Sequence, residues 1–86
     1  MTRETFAKVA ALVRVTLGVK PDVLVAEDSH FADDFRADEM DIAQLVLDVE
    51  RAFRVEIVED IAERCFTVGA LCEAVDQALA RKAEAA

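Results

Sequence analysis

The first part of the chain carries one apolar stripe at helical spacing. Apolar side chains recur there at intervals of three and four positions, namely at Phe6, Val9, Ala10, Val13 and Leu17. Because about 3.6 residues complete one helical turn, these positions share one face of a helix. Gly18 and Pro21 follow, and both are typical of a helix end. The pattern predicts a helix over about 4–17.

A second stripe of the same kind predicts a helix over about 39–53. Its core-facing positions are Ile42, Leu45, Val46, Val49 and Phe53. Asp38 stands just before the stripe, and Asp41 follows three residues later. An acid at the N-cap accepts a hydrogen bond from the backbone of the third helical residue, whose side chain can return the bond. The two acids therefore predict a capping box.

The last third of the chain predicts a short helix and a long one. Ile57 and Ile61 indicate a short helix over about 59–64, and Thr67 is a candidate N-cap for a helix over about 68–82. The apolar stripe of this last helix comprises Val68, Leu71, Cys72, Val75 and Leu79.

Residues 18–37 show no sustained period and predict a long packed loop. Four helices with one apolar face each predict an all-α fold, a small four-helix bundle with a long first loop and a short third helix.

The predicted second helix carries another apolar strip, opposite its core stripe. At 100° per residue, Met40, Ala43 and Leu47 fall together on that face. Acids flank the strip on both sides, with Glu39 and Glu50 on one and Asp41 and Asp48 on the other. Two interpretations are open. Either the long loop or the short third helix covers the strip, or the strip docks a basic partner through apolar contact and acidic steering.

Composition and charge narrow the classes of function. A chain of 86 residues predicts a single domain, 1–86. A net charge of −8 is repelled by nucleic acids and by anionic lipid surfaces, so neither is an expected partner. No apolar run approaches the roughly 20 residues that span a bilayer, and the N-terminus lacks the layout of a signal peptide. We therefore expect a cytoplasmic chain that does not insert into membranes and is monomeric when free.

Residue types that carry catalysis or metal binding are sparse. His30 is the only histidine, and Cys65 and Cys72 are the only cysteines. Cys72 belongs to the apolar stripe of the last predicted helix, which favours a core role. No nucleophile and orienting acid can be assigned beside His30, so a catalytic role lacks support. We expect neither an enzyme nor a metal site.

The order of these elements resembles an acyl carrier protein over nearly the whole chain. The matching segments read "LGVKPDV", "FADDFRADEMD", "FRVEI" and "CFTVGALCEAV". In that family a Leu-Gly-x-Asp-Ser-Leu-Asp motif carries a phosphopantetheine arm on its serine through a phosphodiester. Residues 35–41 read Phe-Arg-Ala-Asp-Glu-Met-Asp here, so the resemblance places Glu39 at the serine position.

Glutamate cannot take over the role of that serine, because arm transfer needs a hydroxyl to attack the pyrophosphate of coenzyme A. Ser29 is the only serine, and it follows Asp28 within the predicted loop instead of opening a helix. We interpret Ser29 as a turn residue and expect no cofactor. Phosphopantetheine is expected only if the chain is a genuine carrier whose serine was mutated or is misassigned.

The resemblance implies a role around fatty-acid, polyketide or other lipid synthesis, with a synthesis enzyme as the basic partner. We expect a non-carrier interaction or regulatory module, and a structural subunit of an obligate complex is the remaining alternative. Arg36 replaces the glycine of the motif, while Gln44 and Arg51 replace positions that are commonly acidic. The expected partner-facing residues are Asp38, Glu39, Met40, Asp41, Ala43, Gln44, Leu47, Asp48, Glu50 and Arg51.

Overall fold

The computed structural model describes residues 2–85, with side chains described for residues 2–84. Its helices are α1 (Arg3–Leu17), α2 (Phe31–Phe35), α3 (Glu39–Phe53), α4 (Glu59–Ala62) and α5 (Val68–Ala85). The all-α prediction is confirmed, although the described residues form five helices instead of four. Among them, no helix combines the length and apolar character that crossing a bilayer requires.

The three long helices α1, α3 and α5 pack against one another and form the bundle. Each contributes the apolar stripe that its sequence predicts, because burying that stripe removes the largest apolar area from water. The side chains that are fully shielded from solvent include Val9, Val13, Phe31, Leu45, Val49, Val68, Leu71, Cys72 and Val75.

The ends of the long helices follow the expected local chemistry. Gly18 ends α1 in the left-handed conformation, with φ at 64°. Asp38 and Asp41 form the expected capping box at the start of α3. The Thr67 hydroxyl accepts a hydrogen bond of 3.1 Å from the Ala70 amide and so caps α5.

The short helix α4 ends at Ala62, two residues before the predicted boundary. The Arg64 amide bonds to the Ile61 carbonyl three residues back, which tightens the chain into a turn instead of continuing the helix.

The prediction of a continuous loop over 18–37 is wrong at α2. His30 caps this one-turn helix, since its Nδ1 atom accepts hydrogen bonds of 3.2 Å from the amides of Ala32 and Asp33. Phe31 is fully buried and anchors α2 in the core. A helix of five residues is too short to show a hydrophobic period, so the sequence pattern does not reveal it.

Backbone hydrogen bonds hold the segment before α2 against the start of α5. The Phe31 amide donates to the Phe66 carbonyl at 2.8 Å, and the Val68 amide donates to the Ser29 carbonyl at 3.0 Å. The Gly69 amide donates to the Glu27 carbonyl at 2.7 Å. These bonds fix the long connection and thereby position the N-terminus of α3.

Candidate docking site on α3

A capping box marks the start of α3. The Asp41 amide donates to the Asp38 carboxylate at 2.8 Å, and the Asp38 amide donates to the Asp41 carboxylate at 3.1 Å. Asp38 keeps an extended backbone, and Glu39 is the first helical residue. The Glu39 side chain is exposed. A carboxylate at this position meets the positive end of the helix dipole, which is worth roughly 0.3–1 kcal/mol.

The apolar strip of α3 is exposed. Met40 is 82% exposed and Leu47 is 46% exposed. The interpretation in which the first loop or α4 covers this strip is therefore wrong. Leu47 and Ala43 form the wall of a groove of about 770 Å³, whereas Met40 lies outside the groove.

We call this concavity the acidic groove. One wall is α3, and the other is α4 with the two residues Cys65 and Phe66. Phe66 is 53% exposed, so its ring presents apolar surface to the groove. The side chains lining the acidic groove are Glu39, Ile42, Ala43, Val46, Leu47, Glu59, Ala62, Glu63, Cys65 and Phe66.

The acids that sequence reasoning assigned to the flanks of the strip are mostly engaged in structural hydrogen bonds. Asp48 accepts from the Thr16 hydroxyl at 2.7 Å and from the Gln44 side-chain amide at 2.9 Å. The Glu50 carboxylate accepts from the Ile57 amide at 2.8 Å. Together with Asp41 in the capping box, these acids hold elements of the fold in place.

The hydrogen bond from Thr16 and then that from Gln44 hold the pKa of Asp48 below its ordinary value, with a smaller contribution from the positive charge of Arg51. The folded chain therefore favours a charged Asp48.

Two acids that sequence reasoning missed, Glu59 and Glu63, rim the acidic groove together with Glu39. Glu59 is the first residue of α4 and Glu63 is its C-cap, about one helical turn later, so the two project in the same direction. Within residues 2–84, no side-chain hydrogen bond or ion pair engages these three carboxylates. In the sequence, the four-residue spacing of Glu59 and Glu63 indicates that they share a side of a helix. It does not show that this helix faces α3.

The phosphopantetheine attachment site family matches residues 7–75, which is most of the chain. The chain belongs to this family. The match extends from within α1 into the first part of α5, so it covers the whole of α3, the connection that carries α2 and the residues that line the acidic groove.

The chemistry of the family gives a test for the residues present at the start of α3. A phosphopantetheine arm is attached through a hydroxyl oxygen, and residues 38–41 offer three carboxylates and a thioether. Ser29 has a hydroxyl, but it is only 8% exposed and its Oγ accepts a hydrogen bond of 2.9 Å from the Ala26 amide. Its geometry is that of a turn residue. The residues at the start of α3 therefore do not fit the arm.

Both cysteines are free thiols that are buried in the core. Burial raises the pKa of the Cys72 thiol to about 11, with the carboxylates of Asp76 and Glu27 adding to the effect. Burial also raises the pKa of Cys65, whose thiol donates to the Ile61 carbonyl at 3.2 Å. The described residues bring together no group of His, Cys, Asp or Glu side chains suited to a metal ion.

Proposed function

We propose that this chain is a non-carrier member of the phosphopantetheine attachment family that acts as an interaction or regulatory module in fatty-acid, polyketide or other lipid synthesis. The observation that carries the proposal is the residue at the start of α3. The resemblance assigns that position to the attachment serine, and Glu39 occupies it. A module that carries no arm acts by binding another protein and not by delivering an acyl group.

The proposed partner presents a basic and partly apolar surface. The exposed strip of α3 supplies apolar contact, and the carboxylates of Glu39, Glu59 and Glu63 supply attraction. Charge at the rim of an interface mainly raises the association rate, while apolar contact mainly slows dissociation. A cytoplasmic location fits a partner among synthesis enzymes.

The test is the intact mass of the protein after co-expression with a broad-specificity phosphopantetheinyl transferase. We expect the wild-type chain to keep its unmodified mass. Glu39→Ser places a hydroxyl at the first helical position. Glu39→Gln is the matched control, because it removes the negative charge without introducing a hydroxyl. We expect a phosphopantetheine adduct on Glu39→Ser alone.

An adduct on the wild-type chain would overturn the proposal and favour the second candidate, a genuine carrier with a misassigned attachment residue. Ser29→Ala would then decide whether Ser29 is that residue. If neither the wild-type chain nor Glu39→Ser gains mass, the surroundings of Glu39 also exclude the transferase, and Arg36, in place of the motif glycine, is the first residue to revert.

A further inference from the structure

A second groove adjoins the acidic groove at Leu47. It has a volume of about 780 Å³ and lies between the C-terminal half of α3, the segment 54–57 that follows it and the last turns of α5. Leu47 lines both grooves. We call the second one the basic groove, because its lining includes the four cations Arg51, Arg54, Arg81 and Lys82.

The two grooves follow a single face of α3. Positions 39, 43, 47 and 51 are each separated by four residues, so they stack along one side of the helix, and Arg54 follows as its C-cap. The helix has 15 residues and is therefore about 22 Å long. The combined surface runs the length of α3, with exposed Leu47 at its midpoint.

The charge changes sign along this surface. Three carboxylates and no cation line the acidic groove. The basic groove has four cations against two carboxylates, Glu50 and Glu56, and so keeps an excess of positive charge. Glu50 accepts from the Ile57 amide and Lys82 donates to the Arg54 carbonyl, but a bond to a backbone group removes neither charge. The chain as a whole has a net charge of −8, so this groove has the opposite sign of charge to the rest of the surface.

We propose that this surface binds an amphipathic helical segment of a partner protein that is basic at one end, acidic at the other and apolar along one stripe. The inference rests on the proposed docking function and adds to it the charge order and orientation of the partner. Its basic end lies against Glu39, Glu59 and Glu63, and its acidic end lies against Arg51 and Arg81. Nucleic acid does not fit, because the acidic groove would repel phosphates over half of the surface.

Three synthetic peptides of about 15 residues, matching α3 in length, test the charge order. All carry the same leucine stripe. The segregated peptide has lysines in one half and glutamates in the other, the mixed peptide alternates the same residues, and the third has lysines only. The first two have equal net charge, so a difference in their affinities cannot come from long-range attraction. We expect the segregated peptide to bind tighter than either of the others by about threefold to tenfold.

Variants then test whether the glutamate half of the peptide binds in the basic groove. Arg51→Gln with Arg81→Gln should weaken the segregated peptide by about threefold to tenfold and leave the lysine peptide unchanged or tighter. Arg3→Gln with Lys20→Gln is the matched control, since it removes the same charge from exposed positions outside both grooves. A nitroxide on the lysine end should broaden the amide resonances of Glu63, and one on the glutamate end should broaden those of Arg81.

Equal binding of the segregated and mixed peptides, or no effect of the double arginine variant, would overturn the inference. If the lysine peptide binds as tightly as the segregated one or tighter, docking of a basic partner stands and the charge order fails. If none of the three binds, the grooves are not a docking surface, and the inference falls together with the docking part of the proposed function. The intact-mass experiment still decides the loss of attachment separately. Self-association in sedimentation that the double arginine variant abolishes would assign the surface to a second copy and also overturn the inference.

Discussion

The hydroxyl of Thr16 donates a hydrogen bond of 2.7 Å to a carboxylate oxygen of Asp48 and so joins α1 to α3. The two residues are 32 positions apart in the chain. This bond contributes most to the lowered pKa of Asp48, and the bond from Gln44 contributes less. The interaction is therefore stronger with the charged carboxylate than with the neutral acid.

Thr16→Val removes the donor and keeps the branched shape of the side chain. We expect the free energy of unfolding at pH 7 to fall by about 0.5–1.5 kcal/mol, the usual range for one hydrogen bond that is partly accessible to solvent. Urea denaturation measures the change. Val15→Thr, on the exposed side of α1, is the control and should change stability by less than about 0.5 kcal/mol.

The same variant should alter the pH dependence of stability. Because the folded pKa of Asp48 lies below its ordinary 3.8, the stabilisation is present above that value and is lost as the pH falls through the folded pKa. The stability difference between wild type and Thr16→Val should be constant above about pH 5 and shrink in more acidic solution. A difference that persists unchanged at about pH 2 would show that the bond does not depend on the charge of Asp48.

Gly69→Ala should destabilise the chain, although a glycine-to-alanine change inside a helix usually stabilises it by about 0.5–1 kcal/mol. A Cβ at residue 69 would lie 2.8 Å from the Cγ atom of Glu27 and 3.0 Å from the Glu27 carbonyl oxygen. The same carbonyl accepts the 2.7 Å hydrogen bond from the Gly69 amide, so relief of the contact must stretch that bond. We expect a loss of about 1 kcal/mol or more in thermal denaturation.

Glu27→Ala is the companion variant for this prediction. It removes the Cγ contact and leaves the carbonyl in place. If the Cγ atom is the main obstacle, Glu27→Ala should restore part of the stability that Gly69→Ala loses. A Gly69→Ala variant as stable as wild type would contradict the close approach of the two segments.

Arg36→Gly should stabilise the fold. Arg36 ends α2 in the left-handed region with φ at 57°, where a side chain costs roughly 1 kcal/mol relative to glycine. We expect a gain of about 0.5–1 kcal/mol in urea denaturation. Arg51→Gly, in the last turn of α3, removes the same side chain from a right-handed helical position and should instead lose up to about 1 kcal/mol. Similar losses at both positions would contradict the left-handed backbone at Arg36.

The sequence predicts the long helices well because each one repeats a stripe over several turns. Val9 and Val13 in α1, and Leu45 and Val49 in α3, are buried as their spacing predicts. Local chemistry also predicts the caps, since Asp38 bonds to a residue only three positions away. The pattern does not predict which residues far apart in the chain come into contact.

The candidate site shows that limit. Asp48 has the position of a docking acid in α3, but its carboxylate is held by Thr16 of α1. Glu59 opens a helix of four residues and Glu63 is its C-cap, and only the packing of that helix beside α3 brings the two acids to the acidic groove. The resemblance singles out Glu39, but only the folded chain shows that Glu59 and Glu63 line the same groove.

The last prediction concerns Leu47, on which both grooves depend. Leu47→Asp should leave the fold intact, because the side chain is 46% exposed and is absent from the buried core. We expect a loss of about 1 kcal/mol, from the lower helix propensity of aspartate and the partly buried area.

Leu45→Asp, two residues earlier and fully shielded, is the matched control. It places an unpaired charge in the core and should abolish cooperative unfolding. Far-ultraviolet circular dichroism with thermal melts separates the two results. If Leu47→Asp also unfolds the chain, Leu47 is internal packing, and both the docking function and the two-groove surface must be withdrawn.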